Sequence, residues 1–246
     1  MSEPLPNSDP PAAMPEAVVI DCQGLTTRAI GAAVWAAIDL GSKTARLENP
    51  GARHSLGVAL PEGFELVIAG SAGYYAGGLS DGATIRIEGN AGWGAAESQR
   101  AGTVVIAGNA GNAVAASIRS GLVVVRGNAS TRAGIGMKGG ALVVAGDAGP
   151  MAGFMMQKGA IVIVGDAGDG VADSMYEGTI YLGGQAGELG ADAVFQEMGP
   201  TDLRLIEELL ERAGLSRPVN GFRKLVAGRK LWNFRTSERA VWKGAL

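Results

Sequence analysis

The 246-residue sequence contains a single cysteine, Cys22, and a single histidine, His54. One cysteine excludes an intrachain disulfide and any cluster ligated wholly by this chain's own thiolates. Without a second histidine, neither a His-rich metal site nor a convincing Ser-His-Asp set can be assembled. His54 is therefore expected to be structural, and Cys22, just after an apolar run, to be a buried inert thiol. Aromatic residues make up only 5% of the chain. No run of about 18 apolar residues occurs, and the start lacks the basic-then-apolar layout of a signal peptide. The expectation is a soluble cytoplasmic protein that does not enter a membrane. The formal net charge of −3 is too slight to identify a partner.

What the chain has in abundance is glycine, 40 residues, within an apolar fraction of 47%. Small residues allow tight corners and flat stacking, so the composition fits a solenoid better than a helical enzyme. The glycines are periodic. Gly70, Gly89, Gly108, Gly127, Gly146, Gly165 and Gly184 recur at an interval of 19 residues, each followed two positions later by alanine. Before each glycine stands a short β-branched run, such as Val104-Val-Ile106 or Ile161-Val-Ile163. One strand and one turn per short repeat predict stacked coils that bury a shared core no coil could bury alone.

The expected fold is all-β: a right-handed parallel β-helix of about seven 19-residue coils with short flanking helices. Left-handed β-helices use coils of about 18 residues, and the 19-residue interval with irregular corners argues for the right-handed form. Pairs such as Leu66/Ile68, Val123/Val125 and Ile180/Leu182 should point inward with a period of two. Strands about 4.8 Å apart make the rod roughly 30 Å long. A second glycine column, Gly102, Gly121, Gly140, Gly159 and Gly178, marks another corner with left-handed backbone.

Residues 1–17 carry five prolines and read as a flexible tail. Residues 18–63 supply a lead-in strand, a helix to about Asp39 capped by Thr26 or Thr27 and ended by Gly41, and a degenerate cap coil. In that coil Arg53 stands where the column's alanine should be. The repeats occupy 64–195. Residues 196–246 hold a helix beginning at Thr201 or Asp202, with Leu203, Ile206, Leu209 and Leu210 on one face, then a basic aromatic tail. From Arg212 onward nine cationic residues stand against Glu238 alone, a net of +8, which leaves −11 on residues 1–211. This segment is too small for its own core. It must pack on the solenoid, cap its end, or dock on a partner.

The corner after each glycine reads Asn90, Asn109, Asn128, Asp147 and Asp166 in successive coils. Such a stack could line a cation track, but the simpler reading is a turn ladder, in which stacked amides bond each other. Asp147 over Asp166 must be solvated, bridged by a cation or partly protonated. The glycines do not form a dinucleotide loop, because that motif occurs once, before a long helix. No catalytic, cofactor-binding or metal-binding residue is assigned. The basic aromatic tail could contact nucleic acid, yet the rest of the chain is acidic and no nucleic-acid-binding fold is evident. Protein docking is better supported, with Phe222, Arg223, Lys224, Arg229, Lys230, Trp232 and Phe234 as the expected partner-binding residues.

The segments Gly70-Ser-Ala-Gly-Tyr-Tyr-Ala-Gly77 and Gly146-Asp-Ala-Gly-Pro-Met-Ala-Gly153 resemble the GxxGxxxG coils of the glutamate synthase C-terminal domain. Thr27-Arg-Ala-Ile-Gly31 resembles the lead-in to that domain, and the likeness covers roughly residues 18–195. It implies a right-handed parallel β-helix that packs against amidotransferase and flavin domains without supplying catalytic residues. As a separate chain it resembles the split, three-subunit relatives, notably N-methylglutamate synthase. The tail Phe222-Arg-Lys-Leu-Val-Ala-Gly-Arg-Lys-Leu-Trp-Asn-Phe234 is similar to the ending of that enzyme's β-helix subunit. The resemblance extends to the β-helix subunits of formylmethanofuran dehydrogenase and of the related formyltransferase/hydrolase complex. A free-standing structural or binding solenoid is the remaining alternative. Ser2 stands where the amidotransferase has its cysteine nucleophile, and the three cluster cysteines are absent. The resemblance therefore implies a class II glutamine amidotransferase-like partner subunit. It also implies an FMN-binding glutamate synthase-like partner that carries FMN and an iron–sulfur cluster.

Overall fold

The computed structural model describes residues 17–229. The chain enters as strand β1 (Val18–Asp21) and helix α1 (Thr27–Asp39). Eight strands follow, each one coil beyond the last: β2 (Thr44–Glu48), β3 (Glu65–Ile68), β4 (Asp81–Ile87), β5 (Ala101–Ile106), β6 (Leu122–Val125), β7 (Lys138–Val144), β8 (Lys158–Ile163) and β9 (Gly178–Leu182). The chain then forms β10 (Ala193–Gln196), α2 (Pro200–Arg212) and β11 (Arg223–Ala227). All the strands belong to one 11-stranded sheet, ordered β1 through β9, then β11, then β10. From β1 to β9 the pairing is parallel, and the fold is a parallel β-helix of about seven turns.

Register follows the sequence period. Leu66 pairs with Ile85, Val104 with Val123 and Ile161 with Ile180, each pair 19 residues apart. The expected inward columns are wholly buried, among them Leu66, Ile85, Val104, Val123 and Ile180. The alanines after the glycine corner form a second ladder, Ala72 to Ala91 and on to Ala186. The third wall has no strands. Its residues alternate in and out of the left-handed region, as in Tyr75, Gly77 and Leu79 (φ +61°, +71° and +57°). Alanine at such angles is strained, yet Ala113 and Ala115 adopt them (φ +58° for both) because each N–H finds a carbonyl in a neighbouring coil, Thr131 O and Ala95 O respectively. Bonds between coils hold this wall where propensity would not.

Residues 42–63 form a genuine coil: β2 lies in parallel register with β3, 21 residues on, and Ala52, Ser55 and Ala59 donate to carbonyls of the next coil. Arg53, in the alanine position, turns its guanidinium onto Leu25 O, Asn49 O and Pro50 O. Beyond that coil lie β1 and α1. Thr26 caps α1 by accepting from Ala29 N–H, and Ile30, Val34 and Ala37 are buried. Gly41, at φ +87°, closes the helix with its N–H on Ile38 O, an angle that favours glycine.

Two sequence expectations change. In the second glycine column, Gly102, Gly121, Gly140 and Gly159 do take left-handed angles, but Gly178 does not; a side chain there would collide with Met156 Sδ. Helix α2 starts at Pro200, with Gly199 as its N-cap, so neither Thr201 nor Asp202 is the cap. Asp202 instead reaches back to accept from Gly199 N–H at 2.9 Å, as the third residue of a capping box does.

The apolar pattern also has a second face. In β6 to β8 the outward residues Val124, Val143 and Val162 are as buried as the inward ones. Helix α2 covers them with Ile206, Leu209 and Leu210, forming a second core outside the rod. Arg126 holds the end of α2, donating to Ala213 O at 2.9 Å, where terminal helix carbonyls lack partners.

Candidate functional site

The polar corner is the feature most open to a ligand reading. Its side chains do not bond each other, as a stack of amides would. Asn90 Oδ1 accepts from the backbone N–H of Asn109 at 2.8 Å, Asn109 Oδ1 from Asn128 N–H at 2.8 Å, and Asn128 Oδ1 from Asp147 N–H at 2.9 Å. Asp147 and Asp166 continue the series onto the N–H groups of Asp166 and Gln185. Each side-chain oxygen thus satisfies a backbone donor in the next coil. The glycine column is the counterpart: a Cβ on Gly127 would meet Asn109 Oδ1 and the backbone of Gly108. Asp147 and Asp166 each spend one carboxylate oxygen on this ladder. Among the described residues no group of three or more His, Cys, Asp or Glu could hold a metal ion.

His54 sits on the rod's surface with Nδ1 accepting from Tyr74 N–H at 2.9 Å. Its ring stacks on Tyr74 at 4.5 Å, and Tyr74 stacks on Trp93 at 5.1 Å. The histidine is the first rung of an aromatic column one coil apart, which sequence reading missed. Its signal is an aromatic four positions after the corner glycine in two successive coils, Tyr74 and Trp93. Cys22 is fully buried, and burial pushes its thiol above the usual range, so the nucleophilic thiolate is disfavoured.

The expected partner-binding residues divide. Phe222 packs into the outer core, against Gly183. Arg223 donates to Gly184 O at 2.6 Å and lies over the Phe195 ring at 4.8 Å. Lys224 reaches both Asp202 oxygens, at 3.0 and 3.2 Å. These three residues therefore tie the tail to its own solenoid. Strand β11 pairs antiparallel with β9 and with β10, and Leu225 enters the inner core. Arg229 is exposed, at φ +62°, at the edge of the described region. Lys230, Trp232 and Phe234 lie outside the described residues.

Under α2 lies a small polar centre absent from the sequence reading. Asp202 accepts from Tyr181 Oη at 2.7 Å, from Gly199 N–H and from Lys224. Burial opposes the Asp202 charge, but these donors outweigh it and hold the carboxyl below its usual range. The Tyr181 hydroxyl is raised by burial and by the adjacent Asp202. Both groups keep their ordinary neutral-pH forms, so the arrangement fastens helix to sheet and poises no acid or base.

With the geometry in hand, one comparison decides the family. The GXGXG motif family matches residues 25–226, from just before α1 into β11. The chain belongs to that family. This makes it glutamate-synthase-like, related to the C-terminal domain of that enzyme. The GXGXG match includes α2 and β11 as well as the coils. No curated protein matches the chain. Among the described residues no helix of this GXGXG chain is long and apolar enough to cross a membrane.

Proposed function

We propose that this chain is the non-catalytic β-helix scaffold of a multi-subunit glutamate-synthase-like enzyme. Its members would be a class II glutamine amidotransferase-like subunit, an FMN-binding subunit and this rod. The specific enzyme that fits best is N-methylglutamate synthase, which forms N-methylglutamate and ammonia from glutamate and methylamine. FMN and an iron–sulfur cluster belong to the partners in this reading, since one buried thiol cannot ligate a cluster. The observation that carries the reading is that the GXGXG match spans residues 25–226, while the polar side chains of the repeat corner are occupied in joining coil to coil. Such a rod offers rigid surfaces rather than reactive groups. Grip on the partners is assigned to the basic aromatic segment beyond β11, from Arg229 through Lys230, Trp232 and Phe234.

Co-purification of the native complex, with flavin and iron analysis and a methylamine-dependent assay of ammonia release, tests this. Recovery with a flavoprotein and an amidotransferase-like chain, in a complex that makes N-methylglutamate, supports it. Recovery with both chains but without that activity removes the specific enzyme. A chain that purifies free of either partner removes the scaffold role.

A further inference from the structure

One column of the rod carries cations in four successive coils. In successive coils it reads Asp81, Arg100, Arg119, Lys138, Lys158 and Glu177. Register sets these one above another: Lys138 pairs with Lys158, and Gly159, next to Lys158, pairs with Gly178. The N–H groups of Arg100, Arg119 and Lys138 donate to Ser80 O, Gln99 O and Ile118 O, each in the preceding coil. All four cations are exposed. Arg100 has Asp81 at 3.5 Å. Arg119 and Lys138 make no ion pair among the described residues, and each has a cation above and below it.

Like charges directly opposite on neighbouring strands, about 4.8 Å apart, repel. Elsewhere on the rod Arg46 pairs with Glu48 and Glu88, and Arg86 with Glu65. Within the column only Arg100 has such a partner; Arg119 and Lys138 have none among the described residues. Beside it a groove of about 470 Å³ runs between the coil corner and α2. Gly121, Gly140 and Gly159 line it without side chains, and on the α2 side Arg212 and Glu208 line it as an ion pair at 3.5 Å, so the uncompensated positive charge is that of the column.

We propose that the cation column and this groove form a docking channel for an extended acidic polypeptide segment of a partner subunit, laid along the rod axis with carboxylates over Arg119 and Lys138. The three coil intervals from Arg100 to Lys158 span about 14 Å, the reach of about four extended residues. Nucleic acid fits less well. Asp81 and Glu177 end the column on both sides, so the run of cations is only four coils long and a continuous polyphosphate chain would meet carboxylates at each end. The proposal rests on the assembly reading above, because a partner subunit supplies the segment.

The test uses the full chain and a fluorescein-labelled hexaglutamate peptide, read by fluorescence anisotropy at low and high salt. Arg119→Glu/Lys138→Glu is compared with Arg28→Glu/Arg132→Glu, which changes net charge equally at exposed sites off the column. Circular dichroism establishes that both variants are folded. Salt-sensitive binding should weaken about tenfold or more in the column variant, the order expected for two reversed charges, and change little in the control. No binding by the parent chain, or equal loss in both variants, overturns the proposal. Tighter binding of a hexathymidylate oligonucleotide than of the peptide overturns it in favour of nucleic acid. The peptide assay needs no partner chain, so peptide binding without co-purifying partners overturns the assembly reading alone. A column variant that still assembles fully with the partners overturns the docking role while leaving the assembly intact.

Discussion

At the level of single residues, the rod's stability depends on which atoms face its interior. Val125 is fully buried between Ile106 and Val144 in the inner column. Val125→Asp should cost about 3–5 kcal/mol, because a lone carboxylate there has neither water nor a partner; urea unfolding measures it. Unchanged stability would mean that the strand faces are reversed. The Asp202 centre predicts a pH effect. Its carboxyl is held below the usual range by Tyr181, Gly199 and Lys224 against the opposing effect of burial. For a depressed carboxyl the stabilisation is complete above the unfolded-state pKa and is lost as pH falls through the folded one. Asp202→Asn should therefore lower stability at neutral pH and flatten the acid limb of the stability–pH curve. Tyr181→Phe should cost about 1–2 kcal/mol, by removing a donor from a largely buried carboxylate. None of this centre could be read in the chain, since Tyr181, Asp202 and Lys224 belong to three elements and nothing in their spacing brings them together.

Among the elements, the C-terminal ones change the meaning of the tail. Strand β11 lies between β9 and β10, so its backbone groups hold the end of the sheet together. Removing residues 220–246 should strip those bonds, expose Leu182 and Tyr181, and cause aggregation on size-exclusion chromatography. Removing only 230–246 should leave a folded monodisperse rod by circular dichroism, with weaker assembly if the remaining tail grips the partners. A 220–246 truncation as stable as the parent would refute the role given to β11. The helix is visible in the sequence through Ile206, Leu209 and Leu210, although its start is misplaced there because Gly199 and Pro200 act together at the N-terminus. What covers the outward valines is less visible. Val124, Val143 and Val162 stand in plain view at a 19-residue interval, but period two assigns alternate residues to opposite faces and does not say that both are covered.

For the molecule as a whole, the expectation is a rigid wall that contributes position to an assembly. The purified chain should carry no stoichiometric FMN, iron or zinc by absorbance and metal analysis; flavin at one per chain would overturn that expectation. Coils that contact mainly their neighbours should also unfold without strict all-or-none behaviour. Hydrogen exchange should show the middle coils, β5 to β8, protected longest and the two ends opening first. Uniform protection along the rod would contradict this.

The amino-acid sequence by itself determined the coil. A glycine, a β-branched run and an alanine at a constant 19-residue interval leave few alternatives, because each repeat exposes an apolar face that only its own copy can match. Local signals likewise determined α1, from Thr26 to Gly41. The tertiary structure alone decided the rest: that Asn109 bonds the backbone of Asn128 rather than its amide, that Arg223 and Lys224 turn back onto Gly184 and Asp202, and that Arg119 and Lys138 stack without counter-charge. Periodicity fixes which residues share a column. Which partner each polar or charged atom then meets depends on distances between segments far apart in the chain, and those are set only when the coils close and α2 and β11 fold back onto them.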